Sequence, residues 1–452
     1  MVFNPGERVF GETEPGVALL LGALRVVTRV PIPWLGALLT LGGLLAIASL
    51  LLRESTARGR WLEAAGAGTL VVSCAYLWDA QGAAAPLVVA LLLAAAAVAD
   101  RRPWLAGVLC GAAVWCRPDA VVGVGLLGLL LWNEQRRFPW RIAVTVAASA
   151  IVGAVAAQAY YGAFIPGTLH AKQLHAARNP AVWIGTEAFW GTATRWFAPA
   201  WGPAAGWLLA LGCIGLVPLW RGSGRGVKLL VLNGLALFVA YPLLRVPFFP
   251  WYGIPCLLAL MYGVAASIRS LWRASWLPRR VAQGAAALVL ATGLASVGAG
   301  TVDWWESGRE RNWRLQIYGD AGKYLREHSA PEDAVAFPEI GVLAFTSDRP
   351  VEDLLGLVTP RSLPFAREGD VEGAFLASPA PFMLEHSREG QGAFTPIVRR
   401  DWFRVAYEPA ARFDYSGGNY LVIYRRLPGA SIPPPRLPRP RVVPPDPIPK
   451  SG

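Results

Sequence analysis

The sequence predicts an α-helical polytopic membrane protein: about ten apolar segments, one of them a helical hairpin, followed by a small C-terminal α/β extracytoplasmic domain. Three observations predict it. The 452 residues are 54% hydrophobic and have a mean hydropathy of +0.39, a composition of multi-pass membrane proteins rather than of soluble enzymes. Apolar stretches approaching the length needed to cross a hydrocarbon core of about 30 Å recur from Trp34 to Gly300. The net charge of +12 is unevenly placed, with 23 Lys/Arg against 10 Asp/Glu in residues 1–300 and 19 against 20 in residues 301–452. Basic residues therefore follow the membrane part, where they set topology, and no nucleic-acid partner is expected.

Residues 1–16, MVFNPGERVFGETEPG, are polar and marked by Gly and Pro, which predicts an outward-facing loop. No basic stretch followed by an apolar core opens the chain, so a signal peptide is not expected. Val17–Val27 is short, carries Arg25 and Arg29 at its end, and is expected to lie along the membrane interface. The spanning segments expected next are Trp34–Leu52, Glu63–Leu77, Pro86–Ala99, Ile142–Tyr160, Ala205–Leu219, Leu229–Leu244, Ile254–Ile268 and Val281–Gly300.

Between the third and fourth of these lies Trp104–Trp132, WLAGVLCGAAVWCRPDAVVGVGLLGLLLW. A single helix of that length, at roughly 1.5 Å per residue, overshoots the hydrocarbon core. Pro118 disfavours α geometry at Arg117 and removes a backbone donor. The reading is two short helices meeting at Arg117, which puts a guanidinium at membrane depth. Such a charge is costly without a partner or a polar cavity and marks a functional site. The structural alternative is an internal pair with Asp119.

Loop charges orient the chain. Arg53, Arg58, Arg60, Arg101, Arg102, Arg136, Arg137, Arg141, Arg221, Arg225, Lys228, Arg269, Arg273, Arg279 and Arg280 fall in short loops on one side, against Arg8, Lys172, Arg178, Arg195 and Arg245 on the other. The first set is assigned to the cytoplasm, and the parity closes only if Trp104–Trp132 is a hairpin. The Gly162–Pro203 loop and everything after Gly300 then face outward. Gly222–Gly226, GSGRG, follows no strand and is read as a connector rather than a phosphate loop.

From Thr301 the composition changes. WWESGRERNWRLQIYGDAGKYLREHS predicts an amphipathic helix, AVAFPEIGVLAFTSDRPVEDLLGLVTP short apolar strands between turns, and GNYLVIYRR a further strand. Leu427–Gly452 holds ten prolines and predicts an extended, disordered tail. The expected organisation is thus residues 1–16 as loop, 17–300 as the membrane domain, 301–426 as the α/β domain and 427–452 as tail. The five cysteines all lie in apolar segments and, with four scattered histidines, form no disulfide framework and no metal spacing.

Four stretches resemble a known family: FNPGERVFGETEP (Phe3–Pro15), GAAVWCRPDA (Gly111–Ala120), YYGAFIPGTLHAKQ (Tyr160–Gln173) and PEIGVLAFTSDRPVEDLLGLVTP (Pro338–Pro360). They occur in the order found in the C-type glycosyltransferases, and the closest branch resembles the bacterial arabinofuranosyltransferases that use a polyprenyl-phosphate donor. The resemblance implies a multi-pass enzyme of the bacterial plasma (inner) membrane that moves a sugar from a polyprenyl-phosphate carrier to an extracytoplasmic acceptor, such as a cell-envelope glycan, a glycolipid or a protein. Two departures stand out. Members usually begin with a further helix and an outward aspartate, so the expected catalytic aspartate lies upstream of Met1 and the chain is expected to be N-terminally truncated. Where an acidic motif is expected near Gly82–Pro86 this chain reads GAAAP, with Ala84 in place of an acid and Asp79 and Gln81 nearby.

Glycosyl transfer from a lipid phosphate needs a carboxylate for the acceptor's proton and cations for the leaving phosphate. Arg117, Lys172 and Arg245 are expected to hold the donor phosphate, Arg117 through its fixed fork of donors. For the base the chain offers Glu7, Glu12 and Asp79, with Glu14 and Asp119 as further outward acids. Asn4, Arg8, Asp119, Tyr161, His170, Trp251 and Tyr252 are expected to line the pocket, Trp251 and Tyr252 having belt anchoring as their structural alternative. No ligand cluster in the sequence points to a cofactor, although a divalent cation is compatible with the chemistry. Two other readings stand beside the enzyme: an inactive relative that binds lipid-linked sugar, and a lipid or solute transporter, which paired inverted repeats would favour.

Overall fold

A computed structural model describes residues 4, 6–74, 77, 82–168, 201–244, 249–311, 313–338, 340–387, 394–415 and 419–435. They fall into two compact units, one of residues Glu12–Arg309 and one of Met1–Gly11 with Glu310–Gly452.

The first unit is helical. It runs through α1 (Pro15–Thr28), α2 (Ile32–Thr56), α3 (Trp61–Ser73), α4 (Ala85–Val98), α5 (Pro103–Cys116), α6 (Ala120–Gln135), α7 (Trp140–Tyr161), α8 (Ala205–Gly222), α9 (Arg225–Leu243), α10 (Pro250–Trp272) and α11 (Arg279–Arg311). Among the described residues six helices are long and apolar enough to cross a membrane: α2, α7, α8 with its preceding turn, α9, α10 and α11 up to Glu306. The protein is a polytopic membrane protein, and its surfaces fit lipid as solvent. Helix α7 exposes Val144, Ile151, Val152 and Val155, an apolar face suited to hydrocarbon. Helix α10 is the opposite case, with Ile254, Leu257, Met261 and Val264 each fully buried.

Two boundaries differ from the sequence reading. Helix α11 does not stop at Gly300 but continues through Trp304 and Trp305 to Arg311, because TVDWWESGRER holds no proline and its single glycine costs a helix only about 1 kcal/mol. Helix α3 ends at Ser73 rather than reaching Leu77 as a single helix, with Cys74 in extended geometry.

The hairpin is formed as the proline predicts. Helix α5 closes with the Arg117 amide donating to the Ala113 carbonyl at 2.9 Å. Arg117 itself is extended, with φ −155° and ψ 126°, the geometry imposed on a residue preceding proline. A turn through Pro118 and Asp119 then opens α6.

The connector Gly222–Gly226 closes on a carboxylate from another helix. The amides of Gly226 and Val227, at the start of α9, donate to Glu54 of α2 at 2.9 and 3.3 Å. A Cβ on Gly224 or Gly226 would lie 2.4 Å from that carboxylate, so a side chain at either position pushes the Glu54 carboxylate off the amides. Beside it, Arg60 and Arg269 both meet the buried Glu63, at 2.7 and 3.2 Å, and Arg60 donates to Ser223 at 3.0 Å. Two arginines counted as topological charges are therefore also internal ties.

The second unit holds a five-stranded mixed sheet of order β2-β1-β3-β5-β4, built from β1 (Val335–Ala336), β2 (Val351–Glu352), β3 (Phe382–Ser387), β4 (Tyr407–Tyr415) and β5 (Asn419–Arg426). Strand β1 is parallel to β2 and β3, while β5 is antiparallel to β3 and β4. Phe337, Phe375, Phe394 and Phe403 fill its core. The stretch IGVLAFTS, expected as strand, is a helix (Ile340–Ser347). An apolar run of that length has no period that separates the two states, and Leu343 and Ser347 turn to the core while Phe345 stays exposed.

Two ties hold the stretches of this unit that carry the resemblance. Asn4 pairs with the free edge of β2, donating to the Val351 carbonyl at 3.0 Å and accepting from its amide at 2.9 Å, as a further peptide group would. The buried Asp353 gathers the amides of Leu355 at 2.9 Å, Val358 at 3.0 Å and Leu357, shaping the loop of EDLLGLV. Leu427–Pro435 forms no helix or strand, and the rest of the proline-rich tail lies outside the described residues.

Candidate functional site

A cavity of about 710 Å³ opens in the helical unit. Its walls are mostly apolar, from Val121, Val122, Leu237, Ala240, Leu244 and Phe164, and its polar groups gather at one end: Glu12, Glu14, Arg117, Asp119, Tyr241 and Tyr252. An apolar chamber with a few convergent polar groups is the usual form of a small-molecule or lipid site.

Arg117 is the centre of that end and is 7% exposed. Its Nε donates to both Asp119 oxygens at 3.1 and 3.2 Å, and one Nη donates to Asp119 Oδ2 at 2.6 Å. The other Nη donates to Glu14 Oε1 at 2.7 Å. The guanidinium also lies over the Tyr252 ring, 5.3 Å from its centroid, a favourable cation–π contact. Tyr241 donates its hydroxyl to Asp119 and stacks on Tyr252 with centroids 4.1 Å apart. The buried cation is thus carried by two carboxylates, as a charge at this depth requires. Asp119 stands at the N-cap of α6 but makes no side-chain cap; its carboxylate is spent on Arg117 and Tyr241.

Glu14 arrives from far along the chain. It precedes Pro15, the first residue of α1, where proline's fixed φ suits a helix start. Gly16 lets α1 approach the end of α5: a Cβ there would lie 2.8 and 2.9 Å from the Trp115 carbonyl carbon and oxygen. That contact sets Glu14 beside the residue two positions on. Its second oxygen accepts from the Ala84 amide at 3.3 Å, and Glu12 accepts from the Glu14 amide at 3.1 Å. Ala84, where the resemblance leads one to look for an acid, thus meets a carboxylate through its backbone.

Of the residues singled out in the sequence, Arg117, Asp119, Trp251, Tyr252 and Glu12 lie in the cavity wall. Asn4 and Glu7 belong to the other unit, Asn4 spent on Val351 and Glu7 placed 3.7 Å from Arg361. Arg8 also falls there, exposed. Tyr161 closes α7 and packs edge-on against Tyr160, centroids 4.7 Å apart. Asp79, His170, Lys172 and Arg245 lie outside the described residues. Tyr241 was not singled out, since a tyrosine inside an apolar helix carries no signal of its own. Among the described residues no group of three or more His, Cys, Asp or Glu side chains is placed to hold a metal ion.

Three comparisons bear on this arrangement. Residues 305–424 match the model of a domain of unknown function, DUF8728. No curated protein matches the chain. Among solved structures the chain is similar to ArnT from Cupriavidus metallidurans bound to undecaprenyl phosphate, with 13% identity, 91% of this chain and 88% of that chain covered, and a TM-score of 0.55. It is similar also to the apo state of the same protein, with 14% identity, 93% and 90% covered, and a TM-score of 0.53. The chain therefore shares the fold of ArnT.

Proposed function

We propose that the chain is a membrane glycosyltransferase that takes a sugar from a polyprenyl-phosphate carrier and passes it to an extracytoplasmic acceptor of the bacterial cell envelope. The observation that carries this reading is the buried Arg117 guanidinium at the polar end of an otherwise apolar cavity of about 710 Å³. A polyprenyl phosphate has the complementary form, an anionic head on an apolar chain, and ArnT, which shares the fold, is known bound to undecaprenyl phosphate. Arginine presents paired donors to a phosphate and stabilises charge as the phosphate leaves.

In this reading the donor phosphate sits on Arg117, with Lys172 and Arg245 as further cations, and Trp251 and Tyr252 flank the sugar. The stretches Phe3–Pro15, Gly111–Ala120, Tyr160–Gln173 and Pro338–Pro360 favour the arabinofuranosyltransferase-like branch. The inactive relative is the second reading, favoured by one observation: Arg117 already has two carboxylate partners.

Undecaprenyl phosphate binding to the full chain in lipid nanodiscs tests the site, and release of free polyprenyl phosphate from a radiolabelled polyprenyl-phosphate pentose or hexose, with host envelope as acceptor, tests the activity. The enzyme binds the lipid and releases the carrier. The paired variant Arg117→Gln with Glu14→Gln, in which Asp119 keeps the Tyr241 hydroxyl as a hydrogen-bond donor, is expected to lose binding. Binding without release defeats the enzymatic reading, and binding retained by the paired variant defeats the site.

A further inference from the structure

We infer that Glu14 is the carboxylate that takes the acceptor's proton, and that the donor phosphate frees it for this by displacing it from Arg117; the inference rests on the reading of the cavity as the donor site. Both residues line that cavity, and Glu14 Oε1 lies 2.7 Å from the guanidinium. The two carboxylates on Arg117 are unequally held. Asp119 accepts three hydrogen bonds from the guanidinium and one from Tyr241. Glu14 accepts one from Arg117 and a long one from the Ala84 amide. A phosphate oxygen competing for the guanidinium therefore replaces Glu14 and leaves Asp119 in place, because anion, geometry and donors are alike.

Displacement changes the chemistry of Glu14. Burial already pushes its carboxyl up from the ordinary value, and Arg117 is the main opposing influence, with Glu12 and Asp119 nearby raising it further. Handing Arg117 to the phosphate removes that opposition, so the carboxylate becomes a stronger proton acceptor when the donor is in place. In the step itself the acceptor oxygen bonds to the anomeric carbon while the bond from that carbon to the phosphate oxygen breaks. The electron pair leaves with the phosphate, whose added charge Arg117 meets, and the hydroxyl proton passes to Glu14. Without a donor the base stays paired and cannot draw a proton from water or acceptor.

The test is titration of the full chain in nanodiscs with undecaprenyl phosphate, followed by calorimetry near neutral pH in two buffers of different ionisation enthalpy, which counts protons taken up on binding. The same titration with a polyprenyl-phosphate sugar, a phosphodiester with no second ionisation near neutral pH, separates protonation of the lipid from that of Glu14. Wild type is expected to take up more protons than Glu14→Gln on binding at the same pH, by a fraction below one that leaves part of Glu14 deprotonated to act as base, since Glu14 is the carboxylate that loses its cation. Glu14→Gln is expected to bind several-fold to about tenfold tighter, because the guanidinium is no longer occupied; Glu14→Ala gives the same comparison should the first variant not be recovered. The proton count decides. Equal counts with binding intact in both proteins overturn the role of Glu14 and leave the donor site standing, whereas binding unchanged by Arg117→Lys and by Arg117→Gln with Glu14→Gln overturns the site and this role together.

Discussion

Glu14 and Arg117 stand 103 residues apart in sequence and 2.7 Å apart in the structure, joined where α1 meets the break between α5 and α6. With Asp119 on its other side, Arg117 ties the start of α1 to the turn between α5 and α6 and is a structural support. Arg117→Ala leaves two largely buried carboxylates without their cation and is expected to destabilise the helical unit by about 3–5 kcal/mol. Arg117→Lys keeps the charge but not the fork and is expected to lose less. Exchanging the pair, Arg117→Asp with Asp119→Arg, is expected to recover monodisperse protein on size exclusion without recovering undecaprenyl phosphate binding. Recovery of both marks Arg117 as a structural partner alone.

The loop charges lead to the expectation that Arg136 faces the cytoplasm and the C-terminal sheet unit the exterior. A periplasm-dependent reporter fused after Tyr424 is expected to be active. A cysteine introduced beside Arg136 is expected to resist an impermeant thiol reagent applied to intact cells. Labelling at that cysteine together with a silent reporter reverses the assignment.

The tie between Glu54 and the start of α9 predicts a stability effect far from the cavity. Glu54→Ala strands the amides of Gly226 and Val227 and is expected to cost about 1–3 kcal/mol, seen as a lower unfolding temperature in detergent. Gly224→Ala is expected to act in the same direction by pressing a methyl on the carboxylate. A variant at either position with unchanged unfolding temperature removes the tie from the account of stability.

In the sheet unit, burial pushes the Glu385 carboxyl up to about 7, against the opposing hydrogen bonds from Thr395 and Phe394. A folded value above the unfolded one means that stability from this group is fully present below pH about 4.5 and is lost as pH rises through about 7. The loss is at most about 3 kcal/mol. Hydrogen exchange of β3 and β5 amides, corrected for intrinsic rates, is expected to show weaker protection at pH 8 than at pH 5, and Glu385→Gln is expected to flatten the difference. A slope that survives that substitution belongs to another group.

How much of this was legible in the sequence depends on range. The break at Arg117 was legible because Pro118 acts on its immediate neighbour, and most spans because apolar length is a local property. The fate of IGVLAFTS was not, since an eight-residue apolar run takes its state from what it packs on. Nor was Glu14 distinguishable from Glu7 and Glu12: three acids in one polar stretch look alike, and only the approach permitted by Gly16 selects among them. Arg60 and Arg269 show the converse, charges whose count gave a topology while their partner, Glu63, was hidden inside an apolar segment.

The loop Gly222–Gly226 carries a lesson for pattern searching. A short glycine-rich stretch opening a helix is scored as a receptor for an external anion, yet here the anion is part of the chain: Glu54 already fills the cradle. Such a motif is self-saturated. A search that weighs only the glycines counts it as a vacancy, and one that asks whether a carboxylate elsewhere in the fold reaches the loop discards it. The same property makes it an engineering handle, because trimming Glu54 is expected to offer the freed Gly226 and Val227 amides to an external anion.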